Sequence, residues 1–147
     1  MENMTLNIVL ADDDEGDRLL FEEAMGELKI IHTVHSVNNG MQLMEYLAKI
    51  EIMPHLIFLD LNMPLKNGME CLKEIRSNAN FKNILIAVYS TSAAEKDIDE
   101  TFINGANVYI KKPNDFVTLK QLLRKAVTMS YLYQDGSFDR ENFFLCI

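Results

Sequence analysis

Apolar residues recur along this chain in two alternating rhythms. Five short runs, Leu6 to Ala11, Ile30 to Ser36, His55 to Leu59, Ile84 to Tyr89 and Val108 to Ile110, carry β-rich and mostly apolar side chains, as strands covered on both faces do. Between them the apolar positions are spaced for helices. Phe21, Ala24, Met25 and Leu28 fall at i, i+3, i+4 and i+7, as do Gly68, Cys71, Leu72 and Ile75, and Leu119, Leu122, Leu123 and Ala126; each set forms one helical face turned to a sheet. Ser92-Ala93-Ala94-Glu95 reads as a capping box opening a fourth helix, and Asn104-Gly105 as its stop. Five strands alternating with five helical patterns predict an α/β fold with a parallel sheet and helices on both faces.

In such an open sheet, chemistry collects beyond the carboxyl ends of the strands, where the strand order reverses. The residues there are Asp12-Asp13-Asp14, Asp60, Ser90-Thr91 and Lys111-Lys112-Pro113. Acids at neighbouring strand ends disfavour one another's ionisation, and a hard cation relieves this. Mg²⁺ suits a site of Asp13, Asp60 and a backbone carbonyl, since it takes a couple of carboxylates plus waters and phosphate oxygens. With the cation bound, Asp60 can serve as a carboxylate nucleophile toward phosphorus. Lys112 as a point charge and Ser90 as a hydroxyl can both bind phosphoryl oxygens.

These residues also carry a resemblance. Asp12-Asp13 after the first strand, Leu59-Asp60-Leu61-Asn62-Met63-Pro64 with Gly68 after the third, Tyr89-Ser90-Thr91 after the fourth and Tyr109-Ile110-Lys111-Lys112-Pro113 after the fifth occur in order. Their spacing is similar to that of the response regulator receiver family of two-component systems, from Leu6 to about Tyr133. The resemblance implies a flavodoxin-like (βα)5 fold. It also implies that Asp60 is the phosphoacceptor and Asp13 a direct metal ligand, with Asp12 reaching the metal through water and Asn62 supplying its carbonyl. Ser90 would be the switch hydroxyl, Tyr109 the aromatic that moves with it and Lys112 the phosphate-binding lysine, its bond to Pro113 often being cis in the family. Mg²⁺ or Mn²⁺ is the implied cofactor, a sensor histidine kinase or phosphotransfer protein the implied donor, and an unknown protein the downstream target. Ala11 departs mildly from the family, which carries a branched apolar residue there.

Each feature also has a plainer reading. The acidic triplet could simply complement a helix dipole, Asp60 could form a turn, and Ser90-Thr91-Ser92 could cap a helix. Tyr109 and Lys112 would be unremarkable in isolation; joint occurrence decides for the site. Asp12-x-Asp14 resembles the nucleophile motif of haloacid-dehalogenase-type phosphohydrolases, but Glu15 replaces the usual small residue and no paired acids follow a late strand. An EF-hand loop through Asp13, Glu15, Gly16 and Glu22 fails because Ala11 stands at its first ligand position. His32, His35 and His55 have no metal-ligand spacing and read as structural or surface residues, and the nine methionines as core filler.

Composition narrows the setting. At 147 residues with 48% hydrophobic and 24% charged residues, the chain suffices for one domain with a real core. A formal charge of −8 disfavours contact with nucleic acid or anionic lipid. The longest apolar run has six residues, so no membrane span is expected. Cys71 and Cys146, far apart, suit a reducing cytoplasm. Residues 1–133 form the expected domain. The extension from Gln134 to Ile147 holds Phe138, Phe143, Phe144, Leu145 and Ile147, apolar enough to require cover. Homodimer formation through this extension is the preferred expectation, with folding back onto its own domain as the alternative.

Overall fold

The computed structural model describes residues 5–132 and 144–145. Its elements alternate as β1 (Leu6–Ala11), α1 (Glu15–Glu27), β2 (His32–Val37), α2 (Gly40–Lys49), β3 (Leu56–Leu59), α3 (Gly68–Arg76), β4 (Leu85–Ser90), α4 (Glu95–Ile103), β5 (Val108–Lys111) and α5 (Phe116–Leu132). A single 3-10 turn, Ala79–Phe81, precedes β4. All strand pairs are parallel, in the order β2-β1-β3-β4-β5 with Phe144–Leu145 added outside β5 as a short β6. The five expected strands and the flavodoxin-like order are therefore present. β6, within the C-terminal extension, is an addition; the remainder of that extension lies outside the described residues.

Side chains alternate across the sheet because a strand has a period of two. Leu6, Ile8 and Leu10 of β1 face α1 and α5, where they meet Phe21, Met25, Leu122 and Leu123. Val9 and Ala11 face α2, α3 and α4 together with Leu43, Leu47, Leu72, Ile75 and Ile98. Burying each of the larger of these side chains stabilises the fold by about 1.5–3 kcal/mol relative to leaving it exposed. The three apolar faces read from the sequence are all buried. β2 is an edge strand whose residues alternate between half-buried and exposed until Val37. Its pairing starts at His32, two residues after the apolar run begins, because the register with β1 joins Leu6 to His32.

Helix starts are fixed by side chains that accept otherwise unpaired amides. Asp14 takes the Asp17 amide at 3.0 Å, Asn39 takes that of Gln42 at 2.8 Å, and Asn67 and Glu70 form a reciprocal capping box. The box expected at Ser92 and Glu95 does not form. α4 begins at Glu95 behind Ala94, which has no side-chain cap, because the Ser92 hydroxyl donates to Asp97 at 2.7 Å while accepting the Ala94 amide at 3.1 Å. The stop is as expected: Asn104 closes α4 and Gly105 adopts φ of 100°, a conformation open to glycine. Among the described residues every peptide bond is trans, Lys112–Pro113 included. The trans form is the one an Xaa-Pro bond favours, by about 0.5–1 kcal/mol, unless its surroundings select otherwise.

At the amino ends of β4 and β5, Arg76 binds three neutral acceptors. Its Nε donates to the Gly105 carbonyl at 2.8 Å, one terminal nitrogen to the Phe81 carbonyl at 3.3 Å and the other to Asn107 Oδ1 at 2.9 Å. Asn107 Oδ1 also accepts the Ile86 amide at 2.8 Å. The histidines are structural as expected: His55 Nδ1 accepts the Asn7 amide at 3.0 Å, His32 contacts the Ile30 carbonyl, and His35 stacks on Tyr46 with ring centroids 3.9 Å apart.

Candidate functional site

The strand order reverses between β1 and β3, and both strands end in acids there. Asp12 continues β1: its amide bonds to the Val37 carbonyl at 3.1 Å and its side chain is wholly buried. Asp60 continues β3, its amide bonding to the Ala11 carbonyl at 2.9 Å, and it is 5% exposed. Asp13 is exposed beside them. One carboxylate oxygen from each of Asp12, Asp13 and Asp60 lies within 4.8 Å of the others.

The loop behind Asp60 is tightly built. The Asn62 amide donates to Asp60 Oδ1 at 3.2 Å, and the Gly68 amide to the Leu61 carbonyl at 3.0 Å. A Cβ on Gly68 would stand 2.2 Å from the Asp60 carbonyl oxygen. Only glycine lets α3 approach the acceptor loop so closely.

Lys112, at the end of β5, places its ammonium among these acids. Nζ is 2.8 Å from Asp12 Oδ2, 2.9 Å from Asp17 Oδ2 and 3.5 Å from Asp60 Oδ2, and it lies 5.1 Å from the centre of the Tyr89 ring. Burial works to lower the Lys112 pKa, but its contacts with Asp12 and Asp17 and the charge of Asp60 outweigh burial and raise it. Asp60 behaves in the opposite sense. Burial pushes its carboxyl up to about 6, with Lys112 pulling down and Asp12 pushing further up. Asp12 Oδ1 accepts the Asp14 amide at 3.0 Å, and the buried Oδ2 is met by the Lys112 ammonium. Three carboxylates this close together, two of them buried, are a donor set that fits a hard divalent cation.

The response regulator receiver domain family matches residues 8–124. This chain belongs to that family. Response regulator Rcp1 of Synechocystis is 30% identical over 122 residues, which cover 80% of this chain and 83% of Rcp1. Chemotaxis protein CheY-3 of Vibrio cholerae is 28% identical, covering 84% and 92% of the two chains. Among solved structures, the phosphorylated cyanobacterial phytochrome response regulator RcpA superposes with a TM-score of 0.79 at 35% identity, over 88% of this chain and 96% of RcpA. The Mn²⁺-bound form of Rcp1 superposes with 0.76 at 28% identity, over 87% and 95%. Receivers are phosphorylated by histidine kinases and act on other proteins. The stretch needed for an EF-hand loop is α1 from Glu15 onward.

The receiver's remaining expected residues stand on β4 and β5. Ser90 is fully buried, its hydroxyl accepting the Ser92 amide at 3.1 Å. Tyr109 is also fully buried, and its hydroxyl donates to the Ser92 carbonyl at 2.8 Å. Burial raises the pKa of its phenol against the opposing hydrogen bond with Ser90. Tyr109 is thus turned inward, its hydroxyl held by the loop that follows β4. Asp12, Asp13, Asp60 and Lys112 are brought together, Asn62 joins through its amide, and Ser90 with Tyr109 forms a second group on the adjoining strands.

Two residues of the site carried no signal in the sequence. Asp17 on α1 meets Lys112, and Arg18 donates to the Asp12 carbonyl at 2.7 Å. An acid in a first helical turn ordinarily reads as a dipole partner. Knowing that α1 starts at Glu15 would have placed Asp17 on the turn nearest the strand ends.

Proposed function

We propose that Asp60 accepts a phosphoryl group from a phosphohistidine of a sensor kinase or phosphotransfer protein, and that this receiver then signals in the cytoplasm by contact with another protein. The observation that carries this reading is the approach of the Asp12, Asp13 and Asp60 carboxylates to within 4.8 Å beside Lys112. Asp13, Asp60 and the Asn62 carbonyl would hold Mg²⁺ or Mn²⁺, with Asp12 reaching it through water. When bound, the cation supplies neutralisation of phosphoryl oxygens.

An Asp60 oxygen forms the new bond to phosphorus while the phosphorus–nitrogen bond to the donor imidazole breaks. The imidazole keeps that electron pair and takes a proton from solvent. Lys112 and the Ser90 hydroxyl receive the transferred oxygens, so this chain provides orientation and charge, which are most of what the transfer needs. Hydrolysis by water later returns Asp60 and releases inorganic phosphate. The chain is a phosphoacceptor that assists its own modification rather than an enzyme acting on a separate substrate. Engagement of Ser90 would alter its contact with the Ser92 loop and with Tyr109, changing the α4–β5 surface offered to a target.

Incubation with acetyl phosphate and Mg²⁺, resolved on a phosphate-affinity gel, should yield a retarded band that disappears with EDTA or in Asp60→Asn. A band that persists in Asp60→Asn overturns the assignment.

Self-association through α5 and residues 134–147 belongs to the same proposal and rests on the apolar composition of the extension. Because Phe144–Leu145 lie beside β5 of their own chain, a second copy would meet a partly docked tail. Truncation after Gln134 should convert a dimer to a folded monomer by light scattering; a full-length monomer at high concentration excludes pairing.

A further inference from the structure

Lys112 is shared unevenly. Its ammonium has three donors and three carboxylates around it, and the phosphoacceptor is the farthest: 3.5 Å to Asp60 against 2.8 Å to Asp12 and 2.9 Å to Asp17. Asp12 and Asp60 belong to the carboxylate cluster. Asp17 does not. It stands on the first turn of α1, with its amide fixed by the Asp14 side chain, and its own side chain is 35% exposed where Lys112 is 9% exposed. Asp17 therefore covers the lysine from the solvent side.

We infer that Asp17 is a positioning residue that draws Lys112 toward α1 and so restrains phosphoryl transfer at Asp60. The inference rests on the phosphoacceptor reading above. Two consequences of the placement act in the same direction. While Lys112 is paired with Asp17, its charge is only partly available to an incoming phosphoryl oxygen. The Asp17 carboxylate, at the rim, also repels an anionic donor. Helix-dipole complementation alone would give Asp17 no contact with Lys112. Arg18 does not relieve the competition, since it is directed at the Asp12 carbonyl; Asp13 and Asp14 add further negative charge on the same side.

The test is the rate of labelling of the full chain by acetyl phosphate with Mg²⁺. In that reaction an Asp60 oxygen bonds to phosphorus, the bond from phosphorus to the acetyl oxygen breaks, and acetate leaves with the electron pair. Asp17→Asn should label faster by about twofold to fivefold, the scale of a partly exposed ion pair. Asp17→Glu, which keeps the charge, should return the rate toward that of the parent, and the gain should be absent when Lys112→Ala is combined with Asp17→Asn. A parent that labels while Asp17→Asn labels no faster overturns the restraint alone. A gain of the same size in the Lys112→Ala background also overturns it, because Asp17 would then act without the lysine. A parent that takes no phosphate at all removes the phosphoacceptor reading, and the restraint with it.

Discussion

The Tyr109 hydroxyl donates to the Ser92 carbonyl at 2.8 Å, across the space between β5 and the loop that follows β4. This bond ties the inward aromatic to the same loop whose amide bonds to the Ser90 hydroxyl. Tyr109→Phe should keep the ring buried and leave the Ser92 carbonyl without its donor, at a cost of about 0.5–1.5 kcal/mol. Urea unfolding measures the cost, and amide exchange at residues 92–95 should accelerate in the variant. Unchanged exchange there would mean that the bond does not hold the loop.

Asp60 is destabilised by its burial, and the sign of its pH dependence follows. Its pKa rises from an ordinary 3.8 to about 6 in the folded chain, so between those values the native state binds more protons than the unfolded state. Stability then falls as pH rises through that window. Asp60→Asn should be close to the parent in stability at pH 4 and more stable at pH 7, by on the order of 2–3 kcal/mol. Denaturant midpoints at the two pH values test this; a variant that gains equally at both excludes ionisation as the cause.

Mg²⁺ or Mn²⁺ should raise the parent's melting temperature in proportion to the logarithm of metal concentration above Kd. Asp13 is exposed, and its removal costs little packing. Asp13→Asn should therefore melt within about 0.5 kcal/mol of the metal-free parent yet lose most of the metal-dependent gain. A full gain in the variant would exclude Asp13 as a ligand.

Gly68→Ala tests how α3 sets the acceptor loop. The added methyl would meet the Asp60 carbonyl oxygen at 2.2 Å, and relief requires backbone movement. A loss of about 1–3 kcal/mol is expected, accompanied by slower labelling of Asp60 by acetyl phosphate. A variant as stable and as reactive as the parent would show that the loop yields freely.

The sequence was most informative where one force dominated. Leu6 to Ala11 is apolar but for Asn7 up to Asp12, and both ends of β1 could be read because burial leaves no other solution. The carboxylate site was legible because strand ends in a parallel sheet converge whatever the loops do. Residues with two competing partners were not legible. Ser92 followed by Glu95 has the form of a capping box, yet its hydroxyl is taken by Asp97, a choice fixed by the path of the loop. Asp17 meets Lys112 across 95 residues of chain, a pairing that no local pattern encodes. The inward position of Tyr109 was hidden for a similar reason, since a strand aromatic reads alike whether its hydroxyl faces a carbonyl or solvent.

Arg76 gives the sheet two unlike ends. At the amino ends of β4 and β5, one planar cation is bound by three uncharged oxygens that also knit together the end of α3, the turn before β4 and the turn before β5. At the carboxyl ends, full charges face one another over distances that one added group can rearrange. The molecule is in this sense a cantilever: the strands are clamped at one end by a neutral lattice of carbonyl and amide groups, and the load is applied at the other.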